Sequence, residues 1–211
     1  MRRKLGSVKQ APTEKTIRVL GLDPASAGPT GYGIVESCGR ACRMIHYGAL
    51  RVPPKRRKES PGAGLADIHA LLARLIAEFR PHVMAVESVF TALNMGTALK
   101  LAEVRGVVLL AAEQHGIPVH SYSPREIKAA VAGSGSASKE QMQVMVRSLL
   151  AMAETPQPTD ASDALAVALC HLQAERVRRK FPLPAKTPAP RLLPRPASAS
   201  RARDSRALLR P

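Results

Sequence analysis

Apolar positions along the chain fall into two kinds of run. The short ones, Ile17-Arg-Val-Leu-Gly-Leu-Asp23 and His82-Val-Met-Ala-Val-Glu87, are apolar almost throughout, end in an acid and meet Pro24 or Ser88. Runs of this length bounded by breakers read as buried strands. Gly31-Tyr-Gly-Ile-Val-Glu36 and Arg43-Met-Ile-His-Tyr-Gly-Ala-Leu50 follow the first run across turn formers, which predicts an antiparallel three-strand meander. The longer runs have helical spacing. Leu65, Ile68, Leu72, Leu75, Ile76 and Phe79 mark an amphipathic helix stopped by Pro81, and residues 92 to 115 a long helix ended by Gly116. Ile117-Pro-Val-His-Ser-Tyr122 is a fifth strand. A short helix follows over Ser123–Val131, with Pro124 in the first turn it tolerates, then the connector Gly133-Ser-Gly-Ser-Ala137. Ser138-Lys-Glu-Gln141 fits a capping box that starts a helix through Met152, and a last helix runs from Asp160 to near Arg176. The order β-β-β-α-β-α-β-α, closed by further helices, predicts an α/β fold with a five-stranded mixed sheet that begins antiparallel and finishes with crossovers.

The last helix opens with two acids, Asp160 and Asp163, which at a spacing of three share one face. One reading is a helix cap, because acids are favoured at helix N-termini. The other is a pair gathered around a divalent cation. Asp23 and Glu87 favour the second. Each sits where a strand leaves the core, and in open α/β sheets ligands collect outside the carboxyl ends of strands. Four carboxylates converging there suit a hard, oxygen-seeking cation, whereas zinc prefers Cys and His. Cys38 and Cys42 with His46 match no common zinc spacing, and the cysteines read as small buried residues. The 133–137 connector lacks the Gly and Lys spacing of a Walker loop.

Charge adds a partner to this picture. The chain carries +16, but residues 1 to 16 hold +4 and residues 176 to 211 hold +10, which leaves a nearly balanced middle. The expected organisation is a disordered basic extension over 1–16, one folded domain over 17–177 and a disordered Pro- and Ala-rich tail over 178–211. Basic ends on a balanced core imply a polyanionic partner, most simply nucleic acid. Lys55-Arg-Arg-Lys58 is either a phosphate contact or solvated charge. Three cysteines without a secretory segment imply a reducing compartment, and no window is long and apolar enough for a membrane span, so a cytoplasmic location is expected.

Taken in order, Leu20-Gly-Leu-Asp-Pro24, Thr30-Gly-Tyr-Gly33, Val86-Glu-Ser-Val-Phe90 with Asn94, Ala98-Leu-Lys-Leu101, Ser123-Pro-Arg125 with Lys128, Ser138-Lys139 and Asp160-Ala-Ser-Asp-Ala-Leu-Ala166 resemble the RuvC-type Holliday junction resolvases. The resemblance implies a ribonuclease-H-like fold, a homodimer and structure-selective, paired nicking of four-way DNA junctions. It also implies two magnesium ions per subunit, with manganese as a substitute, and a branch-migration helicase complex of the RuvA–RuvB type as partner. Carried over by position, Asp23, Glu87, Asp160 and Asp163 would be metal ligands, with Lys128 and Lys139 near the scissile phosphate. Phe90 would stack on an unpaired base, and Lys100, Arg105 and Arg125 would join the lysines in contacting DNA. The chain departs from the family pattern at Ala25, where Gly is usual, and in a longer link to Thr30. Two rivals remain at this point. A non-catalytic junction-binding or architectural protein would use the same basic surface but has no need of four converging acids. An actin-like phosphotransferase also ends its first strand in Asp, but needs two such domains.

Overall fold

The computed structural model describes residues 16–24, 28–53, 56, 60, 62–88 and 95–181. Phe90, Asn94, Ala25, residues 1–15 and residues 182–211 therefore lie outside the described residues, while residues 178–180, expected in the disordered tail, are helical. Strands β1 (Ile17–Asp23), β2 (Thr30–Cys38), β3 (Ala41–Leu50), β4 (Val83–Glu87) and β5 (Val119–Tyr122) alternate late in the chain with helices α1 (Ala63–Phe79), α2 (Met95–Gln114) and α3 (Pro124–Ala132). Helices α4 (Lys139–Leu149) and α5 (Thr159–Lys180) complete the order. The sheet is mixed, as expected, in the order β3-β2-β1-β4-β5. Strand β2 is antiparallel to both neighbours, while β1, β4 and β5 run parallel. Among the described residues no helix is long and apolar enough to cross a membrane.

Period-2 alternation sorts each strand between two cores. Leu20, Leu22, Ile34, Met84 and Val86 face α1 and α2, whereas Val19, Val35, Val83 and Ala85 face α3, α4 and α5. The second core depends on α5, in which every residue from Ala164 to Leu172 is buried. A helix apolar on all sides is a core helix. It can lie this deep because the sheet beneath it is paved with glycine. A methyl group on Gly21 would sit 2.2 Å from the Ala164 carbonyl oxygen, one on Gly31 would sit 2.0 Å from that of Asp160, and one on Gly33 would meet the Leu165 side chain at 2.7 Å. Gly21 pairs with Gly33, and Gly31 with Asp23, so the three glycines form one track under the first half of the helix.

Two details depart from the sequence expectation. Helix α5 continues to Lys180, and Arg176, expected at its end, is instead a clamp: its Nη2 donates to Ser37 Oγ, the Arg40 carbonyl and Cys42 Sγ, tying the helix to the β2–β3 turn. Cys38 is exposed, because it ends β2 at the turn into β3, and Cys42 is half-buried on the edge strand β3; Cys170, inside α5, is the buried one of the three. His46 does not approach a metal cluster but stacks on Phe79, with ring centroids 5.1 Å apart.

At the end of the sheet opposite the acids, Glu36 accepts from Arg18 Nη2 and Arg43 Nη2, each at 2.6 Å. Arg18 also donates to the Phe79 carbonyl, so one buried carboxylate ties β1, β2 and β3 to the end of α1. The Arg18 and then the Arg43 hydrogen bonds hold the Glu36 carboxyl below its ordinary value of 4.5. A depressed carboxyl contributes stability that is present above the unfolded value and is lost as pH falls through the folded one. Glu36→Gln is therefore expected to cost ~1–2 kcal/mol at pH 7, and thermal melts should show the deficit shrinking as the pH is taken well below 4.5.

Candidate metal centre

Asp23 and Glu87 end β1 and β4, the parallel pair at the centre of the sheet. The register Leu22↔Val86 sets the two acids side by side, on the face that carries Gly21 and Ala85. That is the face α5 covers. Because Gly31 pairs with Asp23 and lies against the Asp160 backbone, the glycine track sets the start of α5 over the end of β1. Asp160 is the second residue of the helix, and the cap position belongs to Pro158, with no side-chain cap bond. The capping role expected as one alternative for Asp160 is thus absent. Asp163 follows one turn later.

The electrostatics are those of acids crowded together. Burial first, then Glu87, Asp163 and Asp160, push the Asp23 carboxyl from 3.8 to about 8. Its hydrogen bond to Glu87 adds to the rise at Asp23 and offsets part of the rise at Glu87. Glu87 is raised by burial and by Asp163, and Lys128 offsets part of this. Burial likewise raises Asp163, opposed chiefly by Lys139, whose Nζ lies 3.3 Å from Asp163 Oδ2. Among the described residues no three His, Cys, Asp or Glu side chains stand where they would hold an ion as they are. Glu87 and Asp163 line one cleft, with Asp163 engaged by Lys139. The donor set itself, four carboxylates with no thiolate or imidazole, fits a hard cation.

Two well-capped helices bring the lysines to this cleft. Ser123 and Glu126 form a capping box on α3, and Ser138 and Gln141 another on α4. Lys128 and Lys139 then join Glu87 and Asp163 around a cavity of about 220 Å³ floored by Ile127 and Met142. Arg125 is exposed, its stem laid over Gly135 in the connector. Lys100 is exposed on α2. Arg105 is half-buried and donates from one terminal nitrogen to Ser121 Oγ at 2.9 Å, while its other terminal nitrogen is buried without a partner among the described residues. Gly21, Gly31 and Gly33, which seat the helix, were not singled out as site residues. Their signal was present as glycine at alternate positions of two strands that otherwise favour β-branched residues.

A family model described as crossover junction endodeoxyribonuclease RuvC matches residues 19–171. The RuvC of Moorella thermoacetica is 47% identical over 153 residues, covering 72% of this chain and 89% of that protein. That of Chloroflexus aurantiacus is 44% identical over 172 residues, covering 79% and 99%. Among solved structures, Thermus thermophilus RuvC in complex with Holliday junction substrate superposes with a TM-score of 0.71 at 34% identity, over 76% of this chain and 96% of that one. The yeast mitochondrial resolvase Ydc2 shares the fold at 18% identity, with a TM-score of 0.58. The fold is ribonuclease-H-like.

Proposed function

The chain belongs to the family of RuvC crossover junction endodeoxyribonucleases, and from that premise we propose that it resolves four-way DNA junctions by one phosphodiester hydrolysis in each of two opposed strands. Asp23, Glu87, Asp160 and Asp163 hold magnesium, two ions per protomer, with manganese as a substitute. The observation that carries this reading is the gathering of four acids at one end of the sheet, two on adjacent strand ends and two in the first turns of the glycine-seated helix above them. Gathering such groups is unfavourable for folding and repels DNA unless a cation joins them. An architectural DNA-binding role leaves that expense unexplained.

When bound, magnesium neutralises phosphate charge and lowers the pKa of the attacking water. The chain's own residues supply the rest. Asp23 must give up its proton to become a ligand. Lys128 and Lys139 present fixed positive charge to the phosphate, where charge builds in the transition state. Arg125 and Lys100, exposed around the same end of the fold, track the DNA backbone, with Arg105 held closer in against Ser121. Phe90, directly after the Glu87-Ser-Val segment, stacks on a base exposed at the crossover. The basic extension and tail add sequence-independent affinity by counterion release. The family resemblance further supports a cytoplasmic enzyme that receives its junctions from a branch-migration helicase.

Paired nicking needs two sites, and α2 offers the surface for a homodimer. Val104, Val108, Ala111 and Ala112 bury one side of it. At 3.6 residues per turn, Met95, Leu99, Gly106, Leu109 and Leu110 fall together on the opposite side. Met95 is 74% exposed and Leu99 58%. Gly106 has nothing within 4 Å of where a methyl would stand, which leaves room for a second helix to approach. An isologous pairing of this stripe gives two-fold symmetry to match a roughly two-fold symmetric junction.

Two outcomes test the proposal. Asp23→Asn, Glu87→Gln, Asp160→Asn and Asp163→Asn should each lower magnesium-dependent nicking of a synthetic four-way junction by at least ~10²-fold. Junction affinity and melting temperature should be equal or higher in each; affinity lost in step with activity would instead mark the acids as structural. The double variant Leu99→Glu, Leu110→Glu should sediment as a folded monomer, and a dimer unchanged in mass would rule out the α2 stripe.

A further inference from the structure

Lys139 is placed where helix energetics give no reason for a lysine. It is the first residue of α4, and cations are disfavoured at the positive end of a helix, where Glu140 next to it is the favourable choice. Its backbone is held by the Ser138–Gln141 capping box, but its side chain is 58% exposed and free to swing. Asp163 rises from the buried, glycine-seated part of α5 and cannot follow it. The two meet at 3.3 Å across 24 residues of sequence. Lys128 acts on the same acids, Glu87 and Asp163, yet among the described residues it makes no ion pair with either.

We infer that Lys139 is an exchangeable internal occupant of the cation site: its ammonium holds Asp163 until a divalent cation displaces it, and the freed ammonium then moves to the DNA phosphate. This rests on the reading of the four acids as cation ligands. An ammonium and a metal ion cannot share the Asp163 Oδ2 lone pairs, so a cation held through that oxygen requires the pair to open. The pair is half-exposed, and such pairs are weak, so exchange is cheap in either direction. Linkage then makes the two partners mutually reinforcing. A cation that releases Lys139 strengthens phosphate binding by the same factor as phosphate strengthens the cation. The chain would engage metal weakly when free and tightly when a junction is present, which limits cleavage to the bound substrate.

The test is a manganese titration of the full chain without DNA, reading free Mn²⁺ by electron paramagnetic resonance. Four proteins are compared: the parent, Lys139→Met, Lys139→Arg and Lys128→Met, the last removing one nearby charge without opening an ion pair. Lys139→Met should bind Mn²⁺ about two- to fivefold more tightly than Lys128→Met, and Lys139→Arg, which keeps the pair, should match the parent. In a second arm Ca²⁺ should raise the affinity of the parent for intact four-way junction more than that of Lys139→Met. Equal gains in the two methionine variants, or weaker Mn²⁺ binding in Lys139→Met, would overturn the exchange while leaving the metal centre standing. A parent that binds no Mn²⁺ at all would overturn the metal centre and the exchange with it.

Discussion

The rest of the structure depends on the contact between α5 and the backbone of β1 and β2. Side chains normally hold a helix off a sheet. Here Gly21, Gly31 and Gly33 remove that spacing on one surface, and Ala161, Ala164 and Ala168 keep it small on the other. The Asp160 carbonyl approaches so near Gly31 that a methyl there would stand at 2.0 Å. Because Gly31 pairs with Asp23, this one contact fixes how far Asp160 and Asp163 lie from the strand-end acids. The position of the site is thus set by backbone packing, which deforms little, and not by long side chains.

A rigid seat is what an acid cluster requires. Four carboxylates left to relax would move apart, and burial would push protons onto them. Asp23 shows that pressure directly, held up to about 8 and hydrogen-bonded to Glu87. Lys139 on Asp163 and Lys128 in range of both Asp163 and Glu87 relieve part of it. At the other end of the sheet the reverse arrangement holds, with two arginines on Glu36. That carboxylate ties elements together, while the site's carboxylates are kept in place in spite of one another. The difference separates an ion network that ties strands together from a cluster of like charges.

Much of this was legible in the chain. Acids that end two apolar runs, and a pair spaced for one helix face, pointed to strand ends and a helix start before any coordinates. The sheet of five strands with β2 antiparallel followed from link lengths. What was not legible depends on neighbours distant in sequence. A cap remained one alternative for Asp160 because a cap is a local device, but the Pro158 backbone holds that position. Cys38 looked buried because composition does not reveal that it falls at the exposed end of β2, where the chain turns into β3. Arg176 looked like the edge of a basic tail, and only the folded β2–β3 turn shows its carbonyl and hydroxyl partners. The glycines carried no assigned role, because what they make room for is a helix more than 120 residues away in sequence. Helix α2 lacks a clear polar face because both of its sides are apolar, one toward the core and one toward solvent.

The central claim is that a glycine-seated helix sets the acids for catalysis, and the nicking rate of Gly31→Ala on saturating four-way junction tests it most directly. A methyl at position 31 must push the Asp160 backbone away from β2 without touching any carboxylate. Measured well below the variant's melting temperature, the rate should fall by at least ~10²-fold while junction binding persists, as misplacement of about 1 Å is expected to cause. A folded Gly31→Ala protein that nicks at the parental rate would contradict the account.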